Sequence, residues 1–177
     1  GVGFLYVKRA LQGALVPRLA SWLSHEEPLK FLFEGPGELR YDRPIRSTID
    51  FLEYGAPNTC GIAALSASLG LIESLGVSAI YAHISGYLDA LEAGLTARGF
   101  ISLRHNDAVR QSGILSVRPP QGASASEIAR GLDEHGIACT HPDGLLRFAP
   151  HWPNAQDEVD LVLDTIDEVC DDNGLRA

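Results

Sequence analysis

The 177-residue chain contains no methionine, and it opens on Gly1-Val2-Gly3-Phe4-Leu5-Tyr6-Val7. That run reads as a glycine-punctuated apolar strand with no element ahead of it to cover it. A translation product begins with methionine, so we expect a piece of a longer polypeptide. Only three cysteines occur, Cys60, Cys139 and Cys170; an odd, scattered set excludes a disulfide framework and suits the reducing cytoplasm. No apolar run reaches the roughly 20 residues of a membrane-spanning helix, and the first residues lack the charged, apolar and small-residue order of a signal peptide. Basic residues are also scarce, 14 against 23 acidic, which excludes a basic face for nucleic acid. The acidic excess lies in residues 124–177, with 12 acidic and 3 basic side chains, and reads as solvated helix surface.

What is present is enough for a core, since 45% of the residues are apolar. A helical stretch over residues 10–23 is interrupted by Pro17, and residues 24–56 form a long connection rich in proline, glycine and charge. Connections longer than about 12–15 residues tend to be functional or to wrap a partner. Pro57-Asn58-Thr59 opens a helix with Ile62, Leu65, Leu69 and Ile72 on one side and Gly76 as its stop. A second helix to Gly99 carries Ile80, Ile84, Leu88, Leu91 and Leu95, and at 1.5 Å per residue spans about 30 Å. The period then changes. Strands are expected over residues 100–104 and 113–118, and Ser124 and Glu127 cap a short helix that ends at Gly136. Further strands at 137–140 and 145–149 precede a last helix starting at Asn154, with Val159, Val162, Leu163, Ile166 and Val169 inward. The second part is thus an α+β domain, an antiparallel-rich sheet with helices on one face.

Within the 145–149 strand, alternation sets Arg147 on the face opposite Leu146 and Phe148. A guanidinium keeps its charge and grips a carboxylate with two parallel N–H groups. Arg147 is therefore either the anchor of a pocket for an amino acid or 2-oxo acid, or an ordinary surface arginine on an edge strand. His151 lies at the strand-to-helix corner Pro150-His151-Trp152-Pro153-Asn154, where ligands often bind, or it is a turn residue. Cys139, His141 and His151 lack a fourth zinc ligand, so no metal is expected. Cys60, at a helix start, reads as a small apolar residue rather than a nucleophile. No phosphate loop of the Walker or dinucleotide type occurs.

Three segments resemble the class V aminotransferase family of pyridoxal phosphate enzymes, which includes cysteine desulfurases, selenocysteine lyases, kynureninases and isopenicillin N epimerase-like proteins. The opening run Gly1 to Val7 resembles the strand that follows the family's cofactor-binding lysine. Tyr54-Gly55-Ala56-Pro57-Asn58 resembles its Gly-Thr-Pro-Asn segment. Arg147-Phe148-Ala149-Pro150-His151 through Asn154, with Glu158-Val159-Asp160, resembles the closing motif in which an arginine holds the substrate's α-carboxylate.

The resemblance implies an α/β fold, the C-terminal part of the fold-type-I architecture. Residues 1–76 would be a remnant of the large cofactor-binding domain, 77–99 an interdomain helix and 100–177 the small α+β domain. It implies a homodimer acting on an amino acid, with pyridoxal 5'-phosphate as cofactor, Arg147 and His151 as substrate-binding residues, and Gly55, Ala56, Pro57 and Asn58 reaching the cofactor phosphate of the neighbouring subunit. Two departures matter. Ala56 stands where threonine is expected, removing a hydroxyl donor. The imine-forming lysine belongs before Gly1, and neither Lys8 nor Lys30 takes its place, so this chain alone is expected to be inactive. The short link His141-Pro142-Asp143 leaves no mobile loop for a desulfurase cysteine, which argues against persulfide chemistry and favours transamination or a related carbon–nitrogen or carbon–sulfur bond reaction on an amino acid. The competing class is a non-catalytic binding or dimerisation module.

Overall fold

The computed structural model describes residues 1–172, and the chain divides into two compact units, Gly1–Leu71 and the residues from Ile72 onward. The first unit contains little regular structure. Helix α1 (Arg9–Gln12) is a single turn and α2 (Lys30–Glu34) is five residues long. The stretch expected to be helical over 10–23 therefore stops at Gly13, because Pro17 offers no N–H to continue the ladder. The opening run forms no strand, and Phe4 and Tyr6 are each 77% exposed. A strand is stable only when another takes up its N–H and C=O groups, and no strand pairs with this run among the described residues.

Polar stitching holds the rest of this unit together. Residues 24–26 run beside 44–46, with Glu26 N–H donating to Pro44 O and Arg46 N–H to Ser24 O, both at 2.9 Å. Buried His25 donates from Nδ1 to the Arg43 carbonyl at 2.6 Å, and the Arg46 guanidinium donates to Leu23 O at 2.5 Å and to the Asp50 carboxylate. Helix α3 (Thr59–Leu75) starts here, capped by Asn58, whose Oδ1 accepts the Gly61 N–H at 2.9 Å. Its stripe of Ile62, Leu65, Leu69 and Ile72 is apolar as expected but not buried, and α3 has no buried residue at all. Gly76 ends it at φ +84°, a left-handed geometry suited to a residue without Cβ.

The second unit holds the core. Helix α4 (Val77–Ala97) buries Ile84, Tyr87, Leu88, Leu91 and Leu95. A three-stranded antiparallel sheet follows in the order β1 (Ile101–Ser102), β2 (Leu115–Arg118), β3 (Leu146–Phe148). Helix α5 (Ala125–Glu134) lies between β2 and β3 in sequence; Ser124 caps it through the Glu127 N–H, while the return bond from the Glu127 side chain to the Ser124 N–H is absent among the described residues. Helix α6 (Glu158–Asp172) closes the unit. Leu88, Leu95, Leu115, Ile128, Leu132 and Leu146 are fully buried at its centre, and Val159, Val162, Leu163 and Ile166 of α6 pack on them. Arg104, past the end of β1, ties that edge to α4 by donating from Nη1 to Asp89 at 2.5 Å and Glu92 at 3.0 Å.

Two expectations for the second unit also need correction. Residues 137–140 are not a strand; only Thr140 bridges to Arg147, because the chain diverges from β3 on either side. Helix α6 begins at Glu158 rather than Asn154. Asn154 is occupied instead by a turn, its N–H donating to His151 O at 3.0 Å, and this postpones the helical ladder by one turn.

Candidate active site

Strand β3 presents Arg147 as alternation requires: Leu146 and Phe148 are buried and Arg147 is exposed between them. The backbone is held from both edges. Ser116 of β2 faces Arg147 in register, while on the other side the Arg147 N–H donates to Thr140 O at 2.7 Å and the Thr140 N–H donates to Arg147 O at 3.2 Å. The guanidinium has no hydrogen bond or carboxylate partner among the described residues. An arginine on a clamped strand with its fork uncommitted is arranged to meet an external oxyanion.

His151 lies on the corner that follows, with its side chain exposed. Its N–H donates to Asn154 Oδ1 at 2.9 Å, and Asn154 Nδ2 donates to Glu158 Oε2 at 2.9 Å, joining the corner to the first turn of α6. His83 of α4 is a participant the sequence did not suggest. Its Nε2 donates to Asn154 O at 2.7 Å, and Gln156 Nε2 donates to His83 O at 2.9 Å. Nothing in the local pattern flags His83, because its partners lie 71 and 73 residues away.

The segment Gly55, Ala56, Pro57, Asn58 belongs to the first unit and is exposed throughout. Asn58 is committed twice, as the α3 cap and through Nδ2 donating to Gly1 O at 3.2 Å. The Gly55 and Ala56 N–H groups have no partner among the described residues. Free N–H groups ahead of a 17-residue helix N-terminus suit a phosphate.

Residues 1–145 match the aminotransferase class-V family. The chain belongs to the class V aminotransferase family. It is 29% identical over 167 residues to the uncharacterized aminotransferase YcbU of Bacillus subtilis, covering 94% of the chain and 40% of that protein. It is also 29% identical over 176 residues to isopenicillin N epimerase of Streptomyces clavuligerus, covering 94% of the chain and 43% of that protein. The cysteine desulfurase CsdA of Escherichia coli superposes with a TM-score of 0.75 at 25% identity, over 94% of the chain and 41% of that structure. The fold is thus that of the pyridoxal phosphate-dependent fold-type-I enzymes, and the chain spans about two-fifths of its relatives' length. The family match ends short of Arg147, so the reading of that residue rests on its geometry.

The cysteines differ in chemistry. Cys60 is exposed, Cys170 is buried, and Cys139 packs against the core, where burial and then the Asp133 charge push its thiol above the ordinary value. A raised pKa means less thiolate at neutral pH. With a chromogenic disulfide reagent at pH 7, Cys60 is expected to react first and Cys139 roughly tenfold more slowly or worse, with Cys170 reacting only on unfolding. Equal rates for Cys60 and Cys139 would contradict this. Among the described residues no group of three or more His, Cys, Asp or Glu side chains is placed to hold a metal ion.

Proposed function

We propose that the chain forms the C-terminal, substrate-carboxylate-binding part of a pyridoxal phosphate-dependent class V aminotransferase that acts on an amino acid as a homodimer. The observation that carries this reading is the exposed, unpartnered Arg147 guanidinium on a strand clamped at both edges. Arg147 would bind the α-carboxylate through two parallel N–H donors, orienting the substrate's amino group and Cα for reaction. His151, on the Asn154-pinned corner, would line the same substrate. The Gly55 and Ala56 N–H groups and the start of α3 would hold the cofactor's phosphate, and the exposed Thr59, three residues after Ala56, would offer a hydroxyl donor. When bound, the cofactor supplies an electron sink for the substrate carbon. The lysine that anchors it would come from the remainder of the whole protein.

A carbon–sulfur reaction is the second reading, because the E. coli cysteine desulfurase shares the fold. Cys139 argues against the persulfide version: it is half-buried, its thiol pKa is raised, and only a short turn at Pro142–Gly144 separates it from β3. The apolar and exposed surface of α3, including Ile62, Leu69 and Leu71, supports association with a second copy. The whole polypeptide containing this chain is expected to purify as a dimer with cofactor absorbance and an imine that borohydride reduces. A monomer with neither signal would return the chain to the class of non-catalytic modules.

A further inference from the structure

Ahead of Thr140 the chain makes no further bridge to β3, and residues 136–138 and 148–150 form two walls of a cleft of about 570 Å³. That volume falls within the range that holds small organic ligands. Phe148 faces it, whereas Arg147, its neighbour on β3, points to the opposite side of the strand. Pro150 and Leu161 supply further apolar lining, and its polar side chains are Tyr87, Asn154 and Glu158, of which Tyr87 and Glu158 offer acceptor oxygens beyond the Asn154 contact.

The first is Tyr87 of α4. The residue is only 5% exposed, yet its hydroxyl has no hydrogen-bond partner among the described residues. Nor is it sealed away from solvent, unlike Arg46 Nε and the Nε and Nη2 of Arg104. The ring is buried while the O–H stays open to solvent and so to a ligand. The second is Glu158, the first residue of α6 and the one charged side chain of the lining. Its Oε2 accepts from Asn154 Nδ2, and no basic side chain among the described residues lies within 4.0 Å of it. Burial, and then the Glu158 charge, push the Tyr87 phenol up, in keeping with two oxygens near one space.

We propose that this cleft binds a small primary ammonium ion with an apolar body, the N–H groups donating to the Glu158 carboxylate and the Tyr87 hydroxyl oxygen while the body lies against Phe148, Pro150 and Leu161. An oxyanion would meet the carboxylate with like charge, and a purely apolar molecule would offer no donor to the Tyr87 hydroxyl or to the second Glu158 carboxylate oxygen. The positive end of the α6 dipole opposes the cation, so binding is expected to be weak, in the millimolar range. The proposal does not rest on the proposed catalytic activity, although the cleft shares Asn154 and Glu158 with the corner that carries His151.

Benzylamine, benzyl alcohol and benzoate share one apolar body and differ in charge, so they serve as probes. Titrated into the 177-residue chain at constant ionic strength, benzylamine is expected to shift the amide resonances of Gly136, Ala138 and Ala149 saturably. Benzyl alcohol should bind roughly tenfold more weakly and benzoate not at all, since the charge-assisted bond is the discriminating one. Glu158→Gln should weaken benzylamine about tenfold. Leu161→Trp, at a 59% exposed position, should block the cleft without touching the core. Equal binding of all three probes, or full benzylamine affinity in both variants, would overturn the proposal.

Discussion

Arg147→Gln in the whole enzyme is expected to lower kcat/KM for the amino acid substrate by roughly 10²- to 10⁴-fold. The estimate follows from losing two charge-assisted hydrogen bonds, each worth about 1.5–3 kcal/mol, at about 1.4 kcal/mol per tenfold in rate. Arg147→Lys should fall between, because an ammonium keeps the charge but cannot present two parallel N–H groups. Stability should hardly change. The guanidinium is exposed and forms no ion pair among the described residues, and such surface positions usually shift stability by no more than about 0.5 kcal/mol. Steady-state kinetics beside a thermal melt separates the two effects. Wild-type kcat/KM in Arg147→Gln would remove Arg147 from the substrate site, whereas a large loss of melting temperature would make it a structural residue.

The second large effect concerns the α5–α6 contact. At Gly131 of α5 an added Cβ would lie 2.6 Å from both Val169 Cγ1 and Cγ2. Two influences oppose one another in Gly131→Ala. Alanine favours a helix by about 1 kcal/mol over glycine, but overpacking a filled core costs about 1–3 kcal/mol and at times more. The clash should win, because Val169 is β-branched, sits in a helix with one strongly preferred rotamer, and cannot swing aside. A net loss of about 1–2 kcal/mol in urea unfolding is expected. Gly131→Ala with Val169→Ala should be more stable than the two single losses added together, since the second change removes the clashing methyls. At Gly94 the contact is with Leu163 Cδ1 at 2.3 Å, and leucine's longer side chain has more room to adjust. A Gly131→Ala chain as stable as the parent would show that α5 and α6 are not packed this closely.

Much of the second unit was legible because its elements carry a period. Of the expected α4 stripe, Ile84, Leu88, Leu91 and Leu95 are buried and Ile80 is partly buried, and the Ser124 cap of α5 and the inward residues of α6 are found as expected. Arg147 was legible for the same reason, since a period of two in Leu146-Arg147-Phe148 sends the middle side chain outward whatever else the strand does. The failures share a cause. The opening run has strand composition but no partner, residues 137–140 reach β3 only at Thr140, and α3 is apolar with nothing buried. Composition states what a segment is able to pair with or cover, not whether anything lies opposite.

The candidate sites divide along the same line. Gly55, Ala56, Pro57, Asn58, Arg147 and His151 stood out as local motifs, and the motif at Arg147 carried its orientation within three residues. His83 did not stand out, nor did the Tyr87 and Glu158 cleft, because each depends on groups some 70 residues apart that only folding brings together. The amino-acid sequence by itself determined the family, the helices with a clear period and the outward direction of Arg147, all of which follow from covalent order and backbone geometry. Tertiary structure alone decided which apolar faces are covered, where β3 loses its neighbour, and which polar groups remain without partners. Those outcomes depend on distances between segments that the order of residues does not state.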